Sequence, residues 1–239
     1  MKILVSGYGQ MGKLLVETIQ NHQEFTCVGV VDPLGKTDFQ SFKQVNDIPD
    51  VLIDFSHPSL LGEILAFATK NKVPIVLATT HYSIEDETQI QEASQIIPIF
   101  KTANLSFGIQ VLLKACELLR EYLPDSDIEI VETHHRQKID APSGTAKMIL
   151  NQLRDDDSVV YYGRLGEKKR EKHDIGVHSL RGGTVNGIHE VQFLMDHEVI
   201  TIQHQAESKG VFVNGALKAS RFLVSQKPGL YDMKDLMED

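Results

Sequence analysis

The first twelve residues constrain the fold more than any other part of the chain. Lys2 to Ser6 is a short, apolar, β-rich run, typical of a parallel strand that is buried on both faces. It leads into Gly7-Tyr-Gly9-Gln-Met-Gly12, and apolar residues at helical spacing follow as far as Asn21. A strand, G-x-G-x-x-G and a helix in this order predict a βα unit whose glycine loop binds the pyrophosphate of a dinucleotide. The alternative is a glycine turn with a purely structural role.

The next eighty residues continue the alternation of strands and helices. Short apolar runs predict strands over residues 25–31, 51–55, 74–78 and 96–101, and helical spacing predicts helices over 60–70 and 85–94. Asp32 follows the second of the predicted strands, twenty residues after Gly12. This pattern predicts an α/β fold, a Rossmann-like doubly wound parallel sheet, over residues 1–104.

The pattern changes after residue 104, and we expect a second α+β domain over residues 105–210. Helices are predicted over residues 109–123 and 146–153, and a strand with one solvated face over 127–133. Residues 176–180, 187–195 and 198–205 are interpreted as antiparallel strands, with a turn at 181–183, in a mixed or antiparallel sheet. A C-terminal helix over residues 211–239 is expected to pack back onto the first domain.

Cofactor binding is expected at the carboxyl ends of the strands in the first domain, where open α/β sheets bind ligands. Asp32 would accept hydrogen bonds from ribose hydroxyls and repel a 2′-phosphate, while Lys36 could weaken that repulsion. NADH is therefore favoured, and use of NADPH stays open. The candidate cofactor-binding residues are Gly7, Tyr8, Gly9, Gln10, Met11, Gly12, Asp32, Ala78, Thr79, Thr80, Thr102, Ala103, Asn104 and Leu105.

A cationic segment marks a second candidate site. His134-His-Arg-Gln-Lys138 places four basic side chains within five residues, in a chain whose net charge is -9. Ser143-Gly-Thr145 follows, where hydroxyls and free helix-start N–H groups can bind a carboxylate or phosphate. His134 and Lys138 would lie about 13 Å apart on an extended strand, so the chain must turn between them if both are to act as proton donors on one small dianion. The alternative is a basic, solvent-facing loop.

The sequence argues against nucleic acids, membranes and metals as binding partners. The acidic net charge argues against general nucleic-acid binding, and no apolar run approaches the roughly 20 residues that cross a bilayer. His134 and His135 would point to opposite faces of a strand, so no shared metal site is expected. The N-terminus begins as a strand without a signal-like segment, so we expect a cytoplasmic protein.

These motifs resemble the 4-hydroxy-tetrahydrodipicolinate (dihydrodipicolinate) reductase family over nearly the whole chain. The most specific of them is Glu132 to Ala146, with the pattern H-H-R-x-K-x-D-A-P-S-G-T-A. The resemblance implies NAD(P)H-dependent reduction of 4-hydroxy-tetrahydrodipicolinate to tetrahydrodipicolinate in lysine and diaminopimelate biosynthesis. It further implies His134 and Lys138 as catalytic residues, His135, Ser143, Gly144 and Thr145 as binding residues for the dicarboxylate, no metal, and a homotetramer built through the sheet of the second domain.

Two other functions stay open at this point. The chain could be a different small-acid dehydrogenase, acting on an amino-acid semialdehyde or an alcohol. It could also be a nucleotide-sensing module without catalysis, although no basic helix that would read a nucleic acid is evident.

Overall fold

The computed structural model describes residues 1–35 and 37–238. They form two compact units, of which one comprises Met1–Leu105 with Gly210–Asp239 and the other Ser106–Lys209. Each unit is built on its own sheet. In chain order the elements are β1 (Lys2–Ser6), α1 (Gln10–Gln20), β2 (Thr26–Val31), β3 (Val51–Asp54), α2 (Leu61–Asn71), β4 (Ile75–Leu77), α3 (Ile84–Ser94), β5 (Pro98–Lys101), α4 (Phe107–Tyr122), β6 (Asp127–His134), α5 (Gly144–Leu153), β7 (Val159–Tyr162), β8 (Asp174–Arg181), β9 (Ile188–Met195), β10 (Glu198–Gln205), α6 (Gly210–Leu223), β11 (Gly229–Tyr231) and α7 (Met233–Glu238).

The sheet of the first unit is parallel and has the strand order β11-β5-β4-β3-β1-β2. The strand order reverses at β1, since β2 lies on one side of it and β3 on the other. In open α/β sheets, a ligand crevice forms at this switch point, outside the carboxyl ends of the strands. The Rossmann-like, doubly wound parallel sheet predicted from the sequence is confirmed.

The first unit buries an apolar layer on each face of its sheet. Successive strand residues point to opposite faces, so Ile3 and Val5 pack in one cluster with Leu15 of α1, whereas Leu4 packs in another with Ile64 of α2. All five side chains are at most 1% exposed. Burying each contributes roughly 1.5–3 kcal/mol relative to exposure. The apolar runs of the sequence are therefore strands covered by helices on both sides.

The C-terminal segment is more than the single helix expected from the sequence. Helix α6 contacts α1 and β4 of the first unit, and β11 then pairs with β5 as a sixth, parallel strand. Pro228 lies between α6 and β11; proline lacks the backbone N–H that a helix interior needs and locks its φ angle. The segment therefore returns to the first unit as helix, strand and helix.

The sheet of the second unit is mixed and has the order β10-β9-β6-β8-β7. Strand β9 is antiparallel to β6 and β10, but β8 is parallel to β6 and β7. Strands β8 and β9 run in opposite directions, as expected, but they are not neighbours, because β6 lies between them. Helix α5 connects β6 to β7, and such a crossover returns the chain to the same end of the sheet, which gives parallel strands. Strand β7 (Val-Val-Tyr-Tyr) was not predicted from the sequence.

Candidate active site

The glycine loop after β1 is closely packed except at one position. Gly7 has φ +88°, and a Cβ atom there would lie 2.7 Å from the Phe55 carbonyl oxygen. A Cβ atom on Gly12 would lie 1.9 Å from the Gly7 carbonyl oxygen, whereas one on Gly9 would have nothing within 4 Å. The protein itself therefore requires glycine at positions 7 and 12. At position 9 the space is open, as it must be if a pyrophosphate approaches the backbone.

A cavity of about 560 Å³ opens beside this loop, at the switch point of the sheet. It lies at the carboxyl ends of β1, β2 and β3, and α1 begins next to it with Gly9 as its N-cap. The helix N-terminus has a partial positive charge that favours an anion. The lining residues are Gly7, Tyr8, Gly9, Asp32, Pro33, Leu34, Phe55, Ser56, His57, Ser59 and Leu60.

Asp32 holds the rim of this cavity together. Its carboxylate accepts hydrogen bonds from the backbone N–H groups of Tyr8 at 2.7 Å, Leu34 at 2.9 Å and Gly35 at 3.0 Å. An ionised carboxylate has about four acceptor positions, so capacity remains for a ribose hydroxyl. Lys36, expected to soften the repulsion of a 2′-phosphate, lies outside the described residues.

The loops after β3 and β4 are joined by a buried carboxylate. Asp54 is fully buried and accepts from the Ser56 hydroxyl at 2.5 Å and from the Thr79 hydroxyl at 2.7 Å. Burial raises the pKa of Asp54, against the lowering effect of the hydrogen bonds from Ser56 and Thr79. Asp54 and Ser56 were not among the predicted cofactor-binding residues. Here they order the chain on which Ala78, Thr79 and Thr80 lie.

The loop after β5 is also internally bonded. The Thr102 hydroxyl donates to the Asn104 carbonyl at 3.0 Å and accepts from its N–H group at 3.1 Å. Leu105 is only 3% exposed, and its carbonyl group lies against Gly215 of α6, so this residue fixes the end of the loop against the helix. A cavity of about 500 Å³ adjoins both loops and is lined by Thr79, Thr80, His81, Tyr82, Glu87, Lys101, Thr102, Ala103, Leu230, Tyr231, Asp232 and Asp235.

In the second unit, strand β6 carries two polar side chains on its buried face. Its burial alternates along the strand, and Ile128, Ile130, Glu132 and His134 all occupy the inner positions. Glu132 is fully buried, and its Oε2 lies 2.5 Å from Nδ1 of His134. Arg181 of β8 reaches both oxygens of Glu132, at 2.9 and 2.7 Å.

The chain turns immediately after β6, as it must if His134 and Lys138 are to act on one small dianion. The Lys138 N–H group donates to the His135 carbonyl at 3.1 Å, and the Lys138 ammonium pairs with Asp140 at 2.8 Å. The charge of Lys138 is close enough to His134 to lower its pKa. His135 is half-buried, and its Nδ1 atom is buried without a hydrogen-bond partner among the described residues.

Helix α5 begins at Gly144, with Ser143 as its N-cap. The Ser143 hydroxyl accepts from the Ala146 N–H group at 3.1 Å and lies 3.0 Å from Nε2 of His189. That hydroxyl is thus engaged within the protein, and its expected contact with the dicarboxylate stays a prediction. A Cβ atom on Gly144 would have nothing within 4 Å, so the start of α5, where Gly144 and Thr145 lie, is sterically open to an anion.

The charges of this cluster are set by burial and by Arg181. Burial by itself would raise the pKa of Glu132, but hydrogen bonds from Arg181, Ser179 and His134 lower it to about 2. Burial lowers the pKa of His134, and the positive charges of Lys138 and Arg181 lower it further, while Glu132 opposes them. Burial also lowers the pKa of His189 to about 4. At neutral pH the cluster therefore holds the Glu132 carboxylate, the Arg181 guanidinium and neutral imidazoles at His134 and His189.

Glu132, Arg181 and His189 were not among the site residues predicted from the sequence. Glu132 carried a usable signal, because an acidic residue at an inner position of an alternating strand needs a buried partner. Arg181 and His189 carried none, since their partners lie 49 and 46 residues away. Among residues 1–35 and 37–238, no group of three or more His, Cys, Asp or Glu side chains could hold a metal ion. None of the described helices is long and apolar enough to cross a membrane.

Comparison with known proteins finds relatives that match both units of the chain. A family model described as dihydrodipicolinate reductase, N-terminus, matches residues 1–105, and one described as dihydrodipicolinate reductase, C-terminus, matches residues 108–237. The 4-hydroxy-tetrahydrodipicolinate reductase of Caldanaerobacter subterraneus subsp. tengcongensis is 43% identical over 247 residues, which cover 100% of this chain and 98% of the relative. The enzyme of the same name from Clostridium novyi is 39% identical, with 99% and 98% covered.

A solved structure shares the fold. The dipicolinate-bound dihydrodipicolinate reductase from Paenisporosarcina sp. TG-14 has a TM-score of 0.77 and 23% sequence identity, with 97% of each chain covered. The matches to family models and relatives include both units of the chain, and they confirm the resemblance inferred from the sequence motifs. The chain belongs to the dihydrodipicolinate reductase family.

Proposed function

We propose that this protein catalyses the NAD(P)H-dependent reduction of 4-hydroxy-tetrahydrodipicolinate to tetrahydrodipicolinate, a step of lysine and diaminopimelate biosynthesis. The relatives that match the whole chain bear the name of this reductase. The observation that carries the proposal is that Glu132 joins the His134 ring to the backbone of Ser143, the N-cap of α5, with Lys138 on the loop between them. This grouping offers cations, N–H donors and a proton donor to one small dianion.

The reaction balances with one hydride, one proton and one water. Loss of the hydroxyl group as water gives a conjugated cyclic imine, to which a hydride and a proton then add. Bound NAD(P)H would supply the hydride. Lys138, with His134 beside it, would donate the proton to the atom that receives the electrons. His135 and the backbone at Gly144 and Thr145 would bind the carboxylates.

The first unit would hold the cofactor. The open space at Gly9 and the N-terminus of α1 suit a pyrophosphate. Asp32 would accept hydrogen bonds from the ribose hydroxyls. Its negative charge would repel a 2′-phosphate, so this residue favours NADH over NADPH. The remaining candidate residues at the carboxyl ends of β1, β4 and β5 would complete the crevice.

Turnover with freshly prepared dihydrodipicolinate synthase product tests the proposal. We expect oxidation of NADH and NADPH at 340 nm, and a fall in kcat of about 100-fold or more for Lys138→Ala, the usual scale of general acid catalysis. Lys172→Ala is the matched control, since Lys172 also pairs with an aspartate, at 3.0 Å, but is 70% exposed. A normal rate for Lys138→Ala would refute the proton-donor role, and no oxidation by the unaltered protein would refute the function.

We further propose that the protein is a cytoplasmic homotetramer assembled through the sheet of the second unit. The face of that sheet opposite α4 and α5 exposes Val199 and Leu180 by more than half, and β10 is an edge strand, which proteins usually cover. The free cysteines Cys27 and Cys116 suit a reducing compartment. Sedimentation equilibrium would test the assembly, and a monomeric mass would contradict it.

A further inference from the structure

Glu132 accepts an unusual number of hydrogen bonds for one buried side chain. Its Oε1 atom accepts from the Ser143 N–H group at 3.1 Å and from Arg181 at 2.7 Å. Its Oε2 atom accepts from Arg181 at 2.9 Å and lies 2.5 Å from Nδ1 of His134. A buried carboxylate is expensive unless it is paired in this way. The sequence places it on the inner face of β6, so the partners must come from other segments.

This arrangement fixes the tautomer of His134. An ionised carboxylate only accepts hydrogen bonds, and Arg181 keeps Glu132 ionised, so Nδ1 of His134 must carry the hydrogen. The other ring nitrogen, Nε2, has no hydrogen-bond partner among the residues that the structure describes. It faces Gly187, where a Cβ atom would come within 3.1 Å of it. Nε2 is therefore the atom through which His134 can exchange a proton with a bound molecule.

Glu132 and Arg181 also fix the loop between β6 and α5. Glu132 binds the backbone of Ser143 at the end of that loop. Arg181 donates to the Asp140 carbonyl at 2.7 Å, and the next residue, Gly182, donates to the His134 carbonyl at 2.9 Å. Hydrogen bonds from Glu132, Arg181 and Gly182 thus hold both ends of the loop that carries Lys138. Glu132 and Arg181 lie 49 residues apart in the sequence.

We propose that Glu132 and Arg181 are positioning residues, which hold His134 in its Nδ1–H tautomer and keep Lys138 and the start of α5 in register with it. The inference rests on the proposed function for its catalytic consequence. Neither residue needs to touch the bound dianion. Both act through His134 and through the ends of the loop.

Glu132→Gln gives a test with a predicted direction. The glutamine oxygen is expected to replace Oε1, where it accepts from Ser143 and from Nη2 of Arg181, because the reverse orientation would lose both of these bonds. The NH₂ group then takes the position of Oε2, where it faces His134 and Nη1 of Arg181. An NH₂ group only donates, which forces Nδ1 to accept and moves the hydrogen to Nε2. Nε2 would then present the wrong protonation state in the neutral ring.

The charges that face His134 are those of Glu132 on its own strand, Lys138 on the loop, Arg181 on β8 and His189 on β9. Of these, only Glu132 favours the protonated ring. Its neutral replacement should therefore shift the titration of His134 to lower pH, in addition to changing the tautomer.

The readout is the ¹⁵N chemical shift of the histidine ring nitrogens in the full chain, with the His134 signals assigned by their loss in His134→Asn. We expect Nδ1 protonated and Nε2 unprotonated in the unaltered protein at pH 8, and the reverse in Glu132→Gln. In turnover, Glu132→Gln should lower kcat by about 100-fold with little change in KM for NADH. Glu129→Gln is the matched control, because Glu129 also bonds a histidine, His178 at 2.7 Å, but on the opposite face of β6. It should leave both the His134 signals and kcat unchanged.

Each outcome decides the proposal. An Nε2–H tautomer in the unaltered protein, or unchanged His134 signals in Glu132→Gln, would overturn it. If Glu132→Gln does not fold, as judged by circular dichroism, Arg181→Lys replaces it. Loss of the paired Arg181–Glu132 hydrogen bonds should weaken binding of pyridine-2,6-dicarboxylate at least tenfold. Unchanged affinity would overturn the positioning role of Arg181. A failure of the proposed function appears separately, as an unaltered protein that has the expected tautomer but oxidises no NADH or NADPH.

Discussion

The glycine loop permits a prediction that separates folding from cofactor binding. In Gly12→Ala, the new Cβ atom would lie 1.9 Å from the Gly7 carbonyl oxygen, whereas real Cβ atoms essentially never approach closer than 3.0 Å. Helix α1 or the loop must therefore move by about 1.1 Å or more. Both are packed against the core, where overpacking typically costs about 1–3 kcal/mol. For a chain of this size, that corresponds to a fall in Tm of roughly 2–12 °C.

Gly9→Ala is the counterpart in the same loop. Its Cβ atom would meet no protein atom within 4 Å, and Gly9 has φ -70°, which alanine adopts without strain. We expect the stability of the folded protein to change by less than about 0.5 kcal/mol. If the open space receives the pyrophosphate, however, the added methyl group should weaken NADH binding at least tenfold, or by about 1.4 kcal/mol.

Thermal unfolding and NADH titration by fluorescence measure the two quantities on the same samples. The expected pattern is a lowered Tm for Gly12→Ala and a normal Tm with weak NADH binding for Gly9→Ala. Wild-type NADH affinity in Gly9→Ala would refute the assignment of this loop to the cofactor. A wild-type Tm in Gly12→Ala would refute the argument from close packing.

Two further predictions concern buried polar groups. Because the pKa of His189 is lowered to about 4 in the folded state and is about 6.5 unfolded, the unfolded state binds more protons as pH falls from 6.5 towards 4. The free energy of unfolding should thus fall by roughly 2 kcal/mol by pH 5 because of this group. His189→Gln should remove that part of the pH dependence of stability, measured by denaturant titration at several pH values. An unchanged dependence of stability on pH would contradict the prediction. Asp54→Ala should cost roughly 1–3 kcal/mol, since it leaves the buried Thr79 donor and the half-buried Ser56 donor without their acceptor, and it should raise KM for NADH. Asp47→Ala, on an exposed ion pair, should do neither.

The sequence alone predicted the elements whose signals are local. The apolar run of β1, the glycine loop and the helical spacing of α1 each depend on residues that are close along the chain, and the structure places them as expected. The alternation of β6 predicted a strand with one buried face. The motif from Glu132 to Ala146 identified the family, which the comparisons confirm.

Pairings between distant segments could not be read from the sequence. Tertiary structure decided that β8 lies beside β6 in parallel, that β11 extends the first sheet, and that Arg181 and His189 reach Glu132 and Ser143. Periodicity reports which face of an element is buried, but not which element covers it. That choice depends on how the complete sheet packs, because a buried charge is tolerated only where the assembled fold supplies its partner.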